Sequence, residues 1–292
     1  MSKFDAMDRL WRLAELNRRE LIASGAMTGI VAGFAAAVQP VMAQTMIVTE
    51  PKGLEAGMVE IPSGAAKIAA YRAMPAGGKS RPLILVVQDI FGVHEHIKDV
   101  CRRLALLGYC AIAPELYQRQ GDVTKLTDFD AIRKIVGTVP DAQVMGDLDA
   151  TVAWATAAGI GDAGKLGITG FCWGGRIVWM YSGHNPKVKA GVAWYGRLVG
   201  DKSPNTPTFP VDIVGNIKAP VLGLYGGEDA GIPVSTVEQM RTALGAGTKS
   251  MIHVYPGTPH AFFADYRPSY RKEAALDGWS RCTAWFKANG VA

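Results

Sequence analysis

The chain has no long apolar run, no basic stripe, no internal repeat and no low-complexity tract. Each absence closes off a class of function. The net charge of +5 is spread along the 292 residues and never gathers into a patch interleaved with aromatics, which argues against a nucleic-acid surface. The most apolar uncharged stretch, residues 23–38, is rich in Gly and Ala, too short and too weakly apolar for an ordinary bilayer span. Cysteine is sparse: Cys101, Cys110, Cys172 and Cys282. No second cysteine stands within a few residues of Cys172 to resolve a mixed disulfide, so a redox thiol protein is the weakest reading. An even count would permit two disulfides in an oxidising compartment. Cys101 and Cys110, however, fall on a predicted helix and the strand after it, where they read as small buried apolar residues.

The amino end differs from the rest. A charged amphipathic segment leads to Arg18 and Arg19, then the uncharged stretch 23–38, then Gln39-Pro40-Val41-Met42-Ala43. Paired arginines, a mildly apolar core and a small residue before Gln44 are the features of a twin-arginine signal cleaved after Ala43. The expected mature protein is a single domain over residues 44–292 in the periplasm, the alternative being an uncleaved membrane anchor. About half the residues are hydrophobic, enough for a sizeable core, and the length suits one α/β domain.

From residue 44 onward, strand and helix patterns alternate. Strands are predicted at 58–61, 67–74, 83–88, 109–113, 165–170, 188–195, 221–225 and 251–255, and helices at 96–107, 128–136, 141–158, after 175, 234–244 and 271–288. Continuous apolar runs such as 83–88 mark strands buried on both faces. The expected architecture is therefore α/β, a mostly parallel central sheet with helices on both faces, binding its ligand at the strands' carboxyl ends. Residues 197–216, with Pro204, Pro207, Pro210 and Gly215, read as a loop or lid over that edge.

The chemistry centres on Gly170-Phe171-Cys172-Trp173-Gly174, which joins a predicted strand to a predicted helix. This is the pattern of a nucleophile elbow with cysteine at the corner, flanked by glycines where a Cβ would collide with a neighbour. A thiol nucleophile needs a base, and the base needs a group that sets its tautomer. Asp229 follows the strand at 221–225, and His260 follows the strand at 251–255. The order Cys172, Asp229, His260 is that of an α/β-hydrolase triad. The competing role for Asp229 is capping the helix after Pro233; its neighbour Glu228 points the other way by strand alternation, His253 reads as structural, and His184 as solvated or capping. In such a fold the amides of Ile90, just past the strand at 83–88, and Trp173, just past the thiol, form the oxyanion hole. His94 and His96 lack further ligands nearby, so no metal is expected.

With these blocks in hand, the chain resembles the dienelactone hydrolase family, the carboxymethylenebutenolidases, within the α/β-hydrolase superfamily. The resemblance runs over residues 50–290 and rests on Gln88-Asp89-Ile90-Phe91-Gly92, Pro114-Glu115-Leu116-Tyr117, Gly146-Asp147-Leu148, the cysteine elbow, Ala193-Trp194-Tyr195-Gly196, Gly226-Gly227-Glu228-Asp229 and Gly257-Thr258-Pro259-His260-Ala261-Phe262. It implies hydrolysis of a small ester or lactone without a cofactor, through an acyl-cysteine on Cys172, with His260 moving the proton, Asp229 orienting it and the Ile90 and Trp173 amides holding the oxyanion. Two departures stand out. Well-known members carry glutamate where this chain has Asp89, the expected modulator of the thiol. They also carry an arginine four residues after the histidine, where this chain has Ala264. Tyr195, Arg119, Arg133 and Arg267 are the candidates for substrate binding. The expected partner is a small-molecule ester or lactone; the sequence does not set the oligomeric state, and a monomer is a plausible one. The reading of a different class is a non-catalytic small-ligand binding protein on the same fold.

Overall fold

A computed structural model describes residues 47–77 and 80–292, and the residues read as an export signal lie outside them. Eight strands form one sheet in the order β1-β2-β4-β3-β5-β6-β7-β8. Strands β1 (Leu54–Ser63) and β2 (Ala66–Pro75) make an antiparallel hairpin that docks antiparallel on β4 (Cys110–Pro114). From β4 through β3 (Arg81–Val87), β5 (Gly161–Phe171), β6 (Val188–Trp194), β7 (Val221–Gly226) and β8 (Met251–Tyr255), every pairing is parallel. The helices are α1 (Glu95–Leu106), α2 (Phe129–Gly137), α3 (Asp141–Ala157), α4 (Trp173–His184), α5 (Val234–Leu244) and α6 (Lys272–Ala288). This is the α/β-hydrolase arrangement expected from the alternating pattern.

Local chemistry explains the element ends. The Asp128 carboxylate accepts the Ala131 N–H at 2.7 Å and so starts α2, while Gly108, at φ +103°, turns the chain out of α1 into β4. Leu83, Ile84, Leu85, Val86 and Val87 of β3 are all fully buried, because helices cover both faces of the sheet there. Two strands outrun the sequence expectation. β1 extends over 54–63 because β2 pairs with it residue for residue to the Ser63–Ala66 turn, a register that single-strand propensity does not encode. β5 begins at Gly161, whose pairing with Arg81 is separated from the rest of the ladder by an irregularity at Pro82 and Leu83.

The chain enters the parallel part of the sheet at β3, steps to β4 on one side, then crosses back to β5 on the other. The strand order therefore reverses between β3 and β5, and their carboxyl ends diverge into a crevice. The segment 197–216 does not roof this crevice. It ends in a 3₁₀ turn, Pro210–Asn216, and Arg176 of α4 pins it in place. The Arg176 guanidinium donates to both Asp141 oxygens at 2.8 and 2.6 Å and to the Thr208 carbonyl at 2.7 Å, and it lies 5.0 Å over the Phe209 ring. Of the two readings, loop or lid, the loop is what the structure shows: an arginine tie holds the segment against α3 and α4, and none of its residues lines the cavity.

Arg119 is likewise spoken for. It grips the Asp147 carboxylate of α3 with two bonds, at 2.6 and 2.9 Å, and donates to the Ser63 carbonyl at 3.2 Å, while the Ser63 hydroxyl donates to the same carboxylate at 2.5 Å. The end of β1 is thereby tied to α3. Arg119→Ala leaves a buried Asp147 with one partner fewer and is expected to lower stability by about 2 kcal/mol in urea titration, with ester hydrolysis by the folded fraction unchanged.

Candidate active site

At the crevice, β5 turns into α4 through Cys172, whose backbone sits at φ 55° and ψ −113°. A side-chain-bearing residue rarely occupies this region, and holding it there costs about 1–3 kcal/mol. The surroundings enforce it. The Cys172 N–H donates to the Trp194 carbonyl at 3.0 Å, and the Cys172 carbonyl accepts from Gly175 and Arg176 at 3.0 and 3.3 Å. A Cβ on Gly170 would stand 2.5 Å from the Gly174 carbonyl oxygen, and one on Gly174 would stand 2.4 Å from the Gln88 carbonyl oxygen. Only glycine lets strand, turn and helix approach this closely. The thiol is left half-buried beside the amino end of α4, and Trp173, as the first helical residue, has no intrahelical acceptor for its N–H.

His260 and Asp229 come from the ends of β8 and β7. The His260 Nδ1–H donates to Asp229 Oδ2 at 2.6 Å, and Asp229 Oδ1 accepts the Gly231 and Ile232 amides at 2.9 and 3.1 Å. Asp229 thus holds its own turn and the imidazole at once, while α5 begins beyond it with Pro233 as its cap. With Nδ1 committed, Nε2 is the nitrogen left for the thiol, and His260 and Cys172 line the same cavity. Burial works against a charged ring, yet the neighbouring Cys172 and the Asp229 hydrogen bond outweigh it and push His260 up to about 10. Tyr195, also at positive φ (38°), packs edge-on against His260 with ring centroids 5.0 Å apart.

The opposite wall is the turn after β3. Asp89 Oδ1 accepts the Phe91 N–H at 2.9 Å, both its oxygens lie 3.2 Å from His94 Nε2, and the Tyr266 hydroxyl donates to Oδ2 at 3.4 Å. Tyr117 donates to the Asp89 carbonyl at 3.2 Å. Burial alone would raise the Asp89 carboxyl, but His94, Arg267 and the Phe91 amide hold it at about 2. His94 moves the other way, its burial outweighing Asp89 and lowering it from the ordinary imidazole value. These bonds fix the turn that carries the Ile90 amide past the cavity. Glu115, at the end of β4, buttresses the same turn by accepting the Val93 N–H at 2.8 Å.

Between the walls lies a cavity of ≈ 20 Å³, lined by Cys172, His260, Asp89, Ile90 and Tyr195 together with Arg267, Ala264 and His96. Of the three arginines proposed for a substrate carboxylate, Arg267 alone is brought here, its guanidinium 4.4 Å over the Phe91 ring and 4.9 Å over that of Tyr266. Arg133 is exposed on α2, over Phe129 at 5.9 Å, and Arg119 is held by Asp147; neither lines the cavity. Both expectations are corrected: Asp147 claims Arg119, and the face of α2 that carries Arg133 is turned to solvent. His184 pairs with Asp149 at 2.7 Å at the far end of α4, and His253 stacks edge-on with Tyr255 at 4.4 Å. The remaining cysteines, 101, 110 and 282, are buried and unbridged.

Sequence reasoning missed His96 as a wall residue, and Asp265 and Tyr266 as the residues packed behind it. The His94-x-His96 spacing is the available signal. Among the described residues, no group of three or more His, Cys, Asp or Glu is arranged to hold a metal ion.

With this geometry in view, comparison with known proteins is decisive. The profile of the Dienelactone hydrolase family matches residues 68–290. The chain belongs to the dienelactone hydrolase family. It is similar to a Methylorubrum extorquens protein named "Putative carboxymethylenebutenolidase", 60% identical over 295 residues and 100% of both chains. An Escherichia coli K12 protein of the same name is 53% identical over 261 residues, 88% of this chain and 96% of the relative. The crystal structure of a "Putative Dienelactone Hydrolase" from Klebsiella pneumoniae superposes with a TM-score of 0.78 at 56% identity, covering 80% of this chain and 98% of that one. The dienelactone hydrolase fold and a hydrolase lineage follow.

One titration is testable here. Burial, opposed by the Val93 amide, pushes Glu115 up to about 7 from the ordinary carboxyl value, so the folded state holds a proton that the unfolded chain has released. Its stabilising contribution is present at acid pH and is lost as pH rises through about 7. Glu115→Gln keeps an acceptor for Val93, and thermal melts should show the variant more stable than wild type at about pH 8.5, by up to about 3 kcal/mol, with no advantage at about pH 4.5.

Proposed function

We propose that this dienelactone hydrolase-family protein hydrolyses small carboxylic esters or lactones through an acyl-cysteine on Cys172. The observation that carries the reading is a thiol on a strained elbow that shares one cavity with an imidazole, itself held by a buried carboxylate at 2.6 Å. His260 takes the thiol proton, and the thiolate attacks the substrate carbonyl to form a C–S bond. The oxyanion receives the Ile90 and Trp173 amides. His260 returns the proton to the departing alkoxide as the C–O bond breaks. Water, deprotonated by His260, then attacks the thioester and releases the acid with Cys172 restored.

Asp89, held at about 2 by its partners, is a poor base for the thiol proton. Its effect on the thiol is electrostatic, and it also anchors the turn that carries Ile90. Arg267 and Tyr195 are the proposed substrate contacts, Arg267 for an anionic group. The paired arginines and Ala43 support export as a folded protein and cleavage before Gln44.

Purified protein should hydrolyse p-nitrophenyl acetate, and Cys172→Ala should lose at least ~10³-fold in kcat. Full activity in Cys172→Ala sinks the mechanism, whereas thermal stabilisation by such compounds without any turnover favours a binding protein. The ≈ 20 Å³ cavity admits few acyl atoms, so kcat/KM for the acetate should exceed that for the octanoate by more than ~10-fold. Mass spectrometry of the protein recovered from a periplasmic extract should show a mature chain starting at Gln44.

A further inference from the structure

The cavity has a second imidazole that the proposed reaction does not use. His96, on the first turn of α1, is 2% exposed and lines the cavity with Cys172, His260 and Arg267. Its Nδ1 lies 3.3 Å from Asp265 Oδ1, and Asp265 is itself fastened by Arg103, Nη2 to Oδ2 at 2.9 Å. The ring packs against Tyr266, Phe263 and Phe171 at centroid separations of 5.1, 5.7 and 6.1 Å, so it has little freedom to turn. Neither ring nitrogen makes a hydrogen bond among the described residues: the Nδ1 approach to Asp265 is a charge contact only, and Nε2 has no polar neighbour in that range. Buried polar atoms rarely stay unpaired, and leaving one so costs about 1–3 kcal/mol. Such an atom in the wall of a reaction cavity points to a group that arrives with the substrate.

We propose that His96, oriented by Asp265, is a specificity-determining residue that hydrogen-bonds a hydroxyl on the acyl part of the substrate. This rests on the hydrolase reading above. An imidazole facing a carboxylate through Nδ1–H presents a lone pair at Nε2, which accepts from a hydroxyl; if the ring is protonated, the same hydroxyl accepts instead. A hydroxyl is the small group that satisfies either form. The thiol and His96 share a cavity of ≈ 20 Å³, close to the size of one water, so the hydroxyl sits within about two or three bonds of the reacting carbonyl. The substrate class is therefore 2- or 3-hydroxy esters and hydroxylactones.

The test compares two isosteric lactones, α-hydroxy-γ-butyrolactone and α-methyl-γ-butyrolactone, whose intrinsic reactivities cancel when the ratio of kcat/KM values is compared between proteins. His96→Phe keeps an aromatic ring and removes the nitrogen. The hydroxy-to-methyl ratio should fall by ~10-fold in this variant, the value of one hydrogen bond, and His96→Gln, which keeps a polar group, should recover at least about half of the wild-type ratio. A ratio within about twofold of wild type in folded His96→Phe overturns the proposal and leaves the hydrolase reading standing. If wild type turns over neither lactone nor p-nitrophenyl acetate, the hydrolase reading fails and this inference with it. Should His96→Phe not fold, Asp265→Asn takes its place: it keeps the imidazole but removes the charge that aligns it, and the ratio must fall by ~3-fold or the proposal is wrong.

Discussion

At the corner between β5 and α4, three stretches of backbone come closer than any side chain would allow. Gly170 approaches Gly174, Gly174 approaches the Gln88 carbonyl at the end of β3, and Cys172 is forced to positive φ between them. The strain is small beside the apolar burial of β3 and β5, whose central residues are excluded from water. That burial keeps the turn from relaxing. The same packing sets the thiol against the amino end of α4 and brings the ends of β7 and β8, with Asp229 and His260, to the same edge of the sheet.

Around the thiol the protein uses one residue type in three electrostatic settings. His260, flanked by a carboxylate and by the cysteine, is pushed up to about 10. His94, equally buried and also beside a carboxylate, is lowered because burial dominates there, and it serves as a neutral donor to Asp89. His96 stands beside Asp265 in the cavity wall with neither ring nitrogen hydrogen-bonded. For the first two the difference comes from what opposes burial: Asp229 and Cys172 outweigh it at His260, and Asp89 does not at His94. A shortened carboxylate at position 89 thereby acquires a full set of partners without the arginine that Ala264 replaces.

The parts legible in the sequence share a property: local pattern alone specifies them. Apolar runs at 83–87 and 221–225 announced buried parallel strands, and the alternation with helical spacing announced the α/β sheet. Cys172, Asp229 and His260 were legible because each follows directly on such a strand, and in a parallel sheet all strand ends of one polarity meet at one edge. What was misread depends on partners distant in the chain. Arg119 looked like a ligand-binding cation until Asp147 claimed it, 28 residues away, and the proline-bearing segment 197–216 looked like a lid until Arg176 tied it to α3. Long side chains settle wherever the nearest desolvated counter-charge happens to be, and no local pattern carries that information.

By itself, then, the sequence determined the fold class, the elbow and the order in which Cys172, Asp229 and His260 follow their strands, because strand and helix periodicity and glycine placement are properties of neighbouring residues. The tertiary structure alone decided which arginine reaches the cavity, what holds Asp89, and that His96 joins the wall while His184 and His253 do not. Some of those outcomes turn on pairings far apart in the chain, such as Arg103 with Asp265 and Tyr266 with Asp89, and on the small cavity that packing leaves at the carboxyl ends of β3 and β5. Distance and desolvation, which set the strength of every charge in that space, exist only after the chain has closed on itself.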